Sequence, residues 1–463
     1  MTFVAPWIFM LVFSPLVGAL IAQLRPSRSR LAVMVVNSVA LGTSTLAAVE
    51  LWRRGAHADP FDRLRIFEVD DMNATLLVFA ALVSFFIALV APMRKWKPGS
   101  ATRMLFAESI LFAGFAASAE VGLVAFWVLS YVPFDRELRS SDCESGCRRG
   151  FRIGAAASSA LLVFGLVAMR HRAPLDSTVP GAVAVLIAAM IRQGIVPFQS
   201  WLPHLFARAP LPSVLMLCVP QWGTWAALRL FVPDAPPMLL SALGTFASFT
   251  AVYGAGLALV QKDARRAFGW LFVSETAIVF ASLSGTTDSG LAGGLLLWLS
   301  SGLSLAGLGM ALCALEARRG RLSLDGFSGG FESTPRLAGS FLLLGLCSVG
   351  FPGTLGFVGT ELLIDGSVST NPQLGVAMVI ATVLNGLAVV NMYFRLFCGR
   401  KTVANPAIGL RTREYTGFVV LVLILSILGL WPRGLVATRL RAAKTAQATP
   451  PPVAVVQPSA PTS

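Results

Sequence analysis

Charge is scarce in this chain. Of 463 residues only 13% are Asp, Glu, Lys or Arg, against roughly 25% in ordinary soluble domains. That argues against a water-soluble enzyme and against a disordered chain. Histidine is scarcer still, with three in all, and the six cysteines are scattered. The sequence has no histidines paired at helical spacing for haem, no clustered cysteines and no glycine-rich dinucleotide fingerprint. No cofactor and no metal are therefore expected, and no redox site of its own. Any oxidoreductase role would be that of a subunit.

What the chain has instead is apolar length. Hydrophobic residues make up 55% and the mean hydropathy is +0.72. A spanning helix needs about 20 mostly apolar residues, and such runs recur from Trp7–Leu24 to Tyr415–Trp431. One stretch, Met104–Phe134, is too long for a single ordinary span and holds only Glu108 and Glu120. Arg94, Lys95, Lys97 and Arg103 precede it, and Arg136, Arg139, Arg148 and Arg149 follow. Basic loops prefer the same cytoplasmic side, which requires an even number of crossings between them. Two helices are predicted there, and fourteen in total.

The formal net charge of +14 then has a topological origin. With the N-terminus outside, basic clusters at Arg25–Arg30, Lys262–Arg266, Arg318–Arg321 and Arg400–Lys401 all fall on the cytoplasmic side. Arg53, Arg54, Arg63 and Arg65 are the exception. The charge points away from nucleic acid and toward a bilayer. The expected location is a bacterial-type cytoplasmic (inner) membrane.

The first helix lacks a positive n-region and a small-residue cleavage site, so it reads as a retained span. Residues 1–445 read as one membrane domain, with repeat-like halves at about 104–231 and 237–397, and 446–463 as a disordered Pro/Ala/Ser tail. Cys143 and Cys147 lie in a predicted cytoplasmic loop, where thiols stay reduced, and read as a plain loop pair rather than a metal site.

Ionisable groups inside a bilayer are expensive and mark functional candidates. Mid-helix stand Glu108, Arg192, Glu275, Glu361 and Asp365, while Arg229 and Arg395 sit near helix ends and can snorkel. Pro197 and Pro203 interrupt the seventh helix, and Pro352, with Gly350, Gly353 and Gly356, interrupts the twelfth. Paired breaks in two halves of a chain point to an inverted-repeat transporter; ordinary kinks are the alternative. An arginine buried in a broken helix needs a partner, and Glu108 is the one expected.

Five segments carry a family resemblance. Arg192-Gln-Gly-Ile-Val-Pro197-Phe198-Gln199-Ser200-Trp201-Leu202-Pro203, followed by Pro210-Leu-Pro212-Ser213, resembles the K-x-x-x-x-P-F-H-S-W-L-P…P-x-P-x-S signature of the antiporter-like membrane subunits of respiratory complex I. Mrp-type cation/proton antiporters and membrane-bound hydrogenases share that signature. Asp263-Ala-Arg265-Arg266 through Ser274, Gly350-Phe-Pro352 through Gly359, Asn391-Met-Tyr393-Phe-Arg395 through Gly399, and Leu428 to Pro432 follow the family's later motifs in order.

The resemblance implies an all-α polytopic fold of two inverted five-helix repeats, helices four to eight and nine to thirteen. The implied role is proton movement coupled to a partner complex, of complex I-like, Mrp-like or inorganic-carbon-uptake type, with protons or Na⁺ as the ion. A degenerate structural paralogue is the alternative. The family's titratable positions are mostly replaced: its fifth-helix glutamate by Val128 and its seventh-helix lysine by Arg192. The eighth-helix lysine falls on Gln221 or Thr224, the eleventh-helix H-x-x-x-H-x-x-x-K on Leu297, Ser301 and Leu305, and the twelfth-helix Glu or Lys on Thr360, one place before Glu361. Arginine does not release its proton in proteins, so Arg192 holds a charge without relaying one. Arg192, Glu108, Glu275 and Glu361 are the ion-path candidates.

Overall fold

The computed structural model describes residues 4–54, 66–91, 99–141, 143–170, 178–399 and 409–447. Arg63, Arg65, the basic residues at 94–97 and 400–401, and the tail from 448 lie outside the described residues.

Helices follow one another as the apolar runs dictate. They are α1 (Val4–Leu24), α2 (Ser29–Arg54), α3 (Ala74–Val90), α4 (Ser100–Ala116), α5 (Glu120–Ser140), α6 (Ser145–Arg170), α7 (Thr178–Gln193), α8 (Trp201–Arg208) and α9 (Leu211–Cys218). Then come α10 (Trp222–Ala226), α11 (Pro237–Val260), α12 (Ala264–Ala281), α13 (Asp288–Arg319), α14 (Pro335–Ser348), α15 (Leu355–Thr370), α16 (Pro372–Phe397), α17 (Thr412–Leu430) and α18 (Arg433–Gln447). Among the described residues two isolated bridges are the only extended pairings. Nine spans in that set are long and apolar enough to cross a membrane unaided, one of them running from Leu211 through α10 to Asp234. With α3, α4, α5 and the broken pairs α7/α8 and α14/α15, the described residues form fourteen crossings.

The 104–134 stretch is indeed two helices. Its turn is fixed by Glu68 N–H donating to Ala116 O at 2.7 Å, and Glu120 opens α5 at the surface, 3.2 Å from Arg170. Both broken helices stop on a glycine with left-handed backbone, Gly194 (φ 74°) after α7 and Gly350 (φ 77°) after α14. A side chain resists that conformation, and glycine does not. Pro197 and Pro352 follow within each gap and cannot supply the amide a continuing helix needs.

The first break lies in the fourth helix of a five-helix unit, and so does the second. Five is odd, so consecutive units run in opposite directions across the bilayer. The inversion expected from the sequence is therefore a consequence of the crossing count.

α13 is buried along its length and is the axis of the second half. It packs on α15, α14, α12 and α17. The pairing with α15 is backbone to backbone: Gly366 and Gly290 approach so closely that a Cβ on Gly366 would meet Gly290 Cα at 2.5 Å. Small residues permit such contacts in membrane bundles, where packing rather than the hydrophobic effect holds helices together.

α18 lies across the starts of α3 and α13. Arg439, on α18, is 1% exposed. It donates to Asp71 O at 2.6 Å and Met72 O at 3.2 Å, and to the Thr75 hydroxyl. Burial pushes its pKa down to about 10 while Asp70 and Asp71 pull the other way, so it is charged at neutral pH. Gln447 ends the helix by donating to Gly285 O at 3.2 Å. Ala446 and Gln447, placed in the tail by sequence, belong to this helix.

Candidate functional site

Each half contains one buried ionisable side chain beside its helix break. In the first half it is Arg192, in the last turn of α7 and 8% exposed. Sequence reasoning expects Glu108 as its partner. The structure corrects this: Arg192 makes no ion pair among the described residues, and its guanidinium lies among aromatic rings. It stands 4.0 Å from the Tyr131 centroid, 4.6 Å from Trp127 and 5.4 Å from Trp222. One Nη donates to Ser130 Oγ at 2.8 Å and the other to Trp127 O at 3.5 Å. Tyr131 is held in turn by α6, its hydroxyl 2.8 Å from Ser158 Oγ. The negative faces of three rings replace a carboxylate, an arrangement worth about 2 kcal/mol or more when desolvated.

Val128, the place of the family glutamate, is 41% exposed on the outer side of α5. Trp127, Ser130 and Tyr131 hold the inner side. Gln221 and Thr224, the two alternatives for the eighth-helix lysine, converge on one spot: the Gln221 carbonyl accepts from Thr224 at 3.1 Å and from Gln193 at 3.0 Å. The choice between them changes nothing, since neither carries charge. A cavity of about 130 Å³, mostly apolar, leads from the Arg103–Glu137 ion pair inward to Ser130 and Trp222.

Glu108 is fully buried, and both of its carboxylate oxygens lack a hydrogen bond among the described residues. Its neighbour is Asn37 of α2, so it faces the N-terminal helices rather than α7.

The second half has an acid in place of the base. Glu275, on α12, is 4% exposed and lines a cavity of about 10 Å³ with residues of α13, α14, α15 and α16. Leu297 and Ser301, from the eleventh-helix pattern, stand on its wall, as does Thr360. Glu361 does not. One residue further around a helix turns a side chain by about 100°, and Glu361 and Asp365 are exposed on the outer face of α15. The structure thus separates the four candidates: Arg192 and Glu275 at the two breaks, Glu108 in the N-terminal bundle and Glu361 outside. Among the broken-helix residues, Pro203 is buried in α8, Pro352 is exposed, and Gly356 packs against Cys347 O and Ser300 Oγ.

The remaining motif charges are structural. Asp263 caps α12 by accepting from Arg266 N at 2.9 Å, and Arg265 grips Glu316 of α13 with Nη2 at 2.6 Å from Oε2. Arg229 pairs with Asp70 and lies over Trp225, and Arg395 donates to Asn391 Oδ1 at 3.0 Å.

Residues 153–385 match the family described as NADH:quinone oxidoreductase/Mrp antiporter, TM. The chain belongs to this family. NADH-quinone oxidoreductase subunit M of Mycobacterium tuberculosis is 30% identical over 254 residues, which are 54% of this chain and 46% of that protein. NADH-quinone oxidoreductase subunit 13 of Thermus thermophilus is 28% identical over 217 residues, 46% of each chain. The chain thus spans about half the length of the curated relatives it matches. In fold the likeness extends further. A chain of respiratory complex I from Thermus thermophilus superposes with TM-score 0.80 at 22% identity, covering 95% of this chain and 100% of that one. A chain of the Mrp complex from Dietzia sp. superposes with TM-score 0.85 at 17% identity, covering 96% and 98%. This antiporter-type membrane fold is therefore the frame that holds both buried groups.

Proposed function

We propose that this protein is an antiporter-like membrane subunit of a multi-subunit complex of the quinone oxidoreductase or Mrp type, and that it moves protons through its second half alone. The observation that carries this reading is Glu275, a buried carboxyl group in a hydroxyl-lined cavity at the second break. A carboxyl group takes up and gives up a proton. In the first half Arg192 cannot, because an arginine keeps its proton, so that half acts as a fixed positive charge. Arg192 also favours a second reading, a structural subunit that moves no ion.

Proton uptake by native membrane vesicles, followed with a pH-sensitive dye, separates the two. Glu275→Gln is expected to lower flux at least tenfold, whereas Glu361→Gln, on the outer face, leaves it near wild type. Undiminished flux in Glu275→Gln would rule out the proton-moving role.

The proposed setting is a bacterial-type cytoplasmic membrane with the N-terminus outside, supported by the basic clusters that the sequence places mainly in alternate connections between spans. Cys143, half-buried between α5 and α6, reports on this in a variant where it is the one remaining cysteine. An impermeant maleimide is expected to label it only after permeabilisation. Labelling in intact cells would invert the topology.

A further inference from the structure

Three ring faces stand in for a carboxylate at Arg192, but they bring no net charge. The oxygens that the guanidinium reaches are a carbonyl and two hydroxyls: Trp127 O at 3.5 Å, Ser130 Oγ at 2.8 Å and the Tyr131 hydroxyl. The carbonyls that end α7 are taken elsewhere. Met190 O accepts from Ile195 N at 2.9 Å, and Ile191 O from Gly194 N at 3.3 Å and Trp201 Nε1 at 3.0 Å. An unbalanced charge held out of water costs more than ring faces return. The cavity beside Arg192 supplies no balance from its wall, which holds no Asp or Glu among the described residues. Tyr131 and Cys218 are the other ionisable side chains on it.

The same cavity has donors to spare. A guanidinium has five N–H groups, and Arg192 meets three oxygens. Gln221, 2% exposed, is the second wall residue with an unmet donor. Its Oε1 accepts from Gln193 Nε2 at 3.0 Å and from the Thr224 hydroxyl at 3.1 Å, which fixes the orientation of the amide. Its Nε2 then makes no hydrogen bond among the described residues. A buried N–H without an acceptor is rare and costly. Two unmet donor groups, one of them charged, form a shell suited to an anion.

We infer that this cavity binds one chloride ion, held by the Arg192 guanidinium and Gln221 Nε2, with Leu202, Leu217, Trp222 and Phe272 around the rest. One monovalent anion balances one guanidinium, whereas a divalent anion would leave a negative excess buried. The volume of about 10 Å³ is close to that of one water-sized occupant, roughly 10–15 Å³. A single-atom ion suits it, and sulfate, phosphate or an organic acid does not. Leu217 and Trp222 also line the larger cavity that leads to the Arg103–Glu137 pair, so a short side-chain movement admits the ion. The site lies in the half that moves no proton, and it stands or falls apart from the role given to Glu275.

Equilibrium binding of radioactive chloride to the purified full-length chain in lipid nanodiscs, in gluconate buffer free of other halides, tests it. One saturable site is expected, displaced by bromide and not by sulfate, retained in Glu361→Gln and lost in Gln221→Glu. That last variant is the sharper one, because its carboxylate balances Arg192 from within and leaves chloride no charge to answer. Thermal unfolding gives a second readout. A ligand that binds the folded state alone raises the midpoint, so chloride in place of gluconate is expected to raise it in wild type and not in Gln221→Glu. Folded wild type without saturable chloride binding overturns the proposal, and so does binding that survives Gln221→Glu. Should Gln221→Glu fail to fold, Gln221→Leu decides. It is expected to weaken chloride at least tenfold, and unchanged affinity overturns the site.

Discussion

Replacing Arg192 with alanine is expected to lower the stability of the folded chain by about 3 kcal/mol or more. Desolvated contacts between a guanidinium and aromatic rings contribute roughly 2 kcal/mol, and truncating a large buried side chain adds about 2–5 kcal/mol for the space left behind. The three rings, the Ser130 hydroxyl and the Trp127 carbonyl all lose their partner at once. Thermal unfolding in detergent, followed by loss of monodispersity, measures the effect. The double variant Arg192→Ala/Glu108→Ala is expected to recover none of it, because Glu108 lies beside Asn37 and not beside Arg192. Recovery in the double variant would restore the ion pair that the structure disallows. Tyr131→Leu tests the same ring cluster from the other side and is expected to destabilise in the same direction, since it removes the nearest ring and its anchor on Ser158.

Arg192 also shows where sequence reasoning stops. That it is buried, charged and next to a break is legible, because an arginine and two prolines are each costly in a continuous apolar span. Its partners are not. Every face of α4, α5 and α7 is largely apolar, so no polar stripe reports how each helix is rotated about its axis. The rotation is set by packing, and it turns Trp127 and Tyr131 inward while sending Glu108 toward α2. The same limit applies to α15. Glu361 and Thr360 are neighbours in sequence, and only the close approach of Gly359 and Gly366 to α13 decides which of them faces the cavity. α18 is hidden in the sequence for a different reason. It is short and rich in arginine, which suggests a surface segment, yet Arg439 is buried, with its two Nη groups donating to the Asp71 and Met72 carbonyls and the Thr75 hydroxyl at the start of α3. Features that depend on chain chemistry alone are legible: the split of the 104–134 stretch, both breaks and the fourteen crossings.

The glycine contact between α13 and α15 leads to the second large effect. A Cβ on Gly359 would stand 2.9 Å from Leu297 N and 3.1 Å from Gly293 O, and one on Gly293 would meet Leu363 N at 2.4 Å. Those are backbone atoms of packed helices, and they cannot swing aside as the end of a side chain can. Gly359→Ala is expected to force α15 away from α13 by a few tenths of an ångström and to cost about 1–3 kcal/mol, the usual range for an overpacked core. Gly293→Leu, with four carbons where there is no room for one, is expected to abolish the folded state. Activity should respond more steeply than stability in Gly359→Ala. Leu297 and Thr360 both line the Glu275 cavity, and Gly359 sits between them, so displacing α15 moves the Thr360 hydroxyl relative to the Glu275 carboxyl group without altering a single titratable group. The expected result is a fully assembled, modestly destabilised protein whose proton flux falls at least fivefold. Flux equal to wild type in a Gly359→Ala protein of lowered stability would mean that the geometry of this cavity is not what governs translocation.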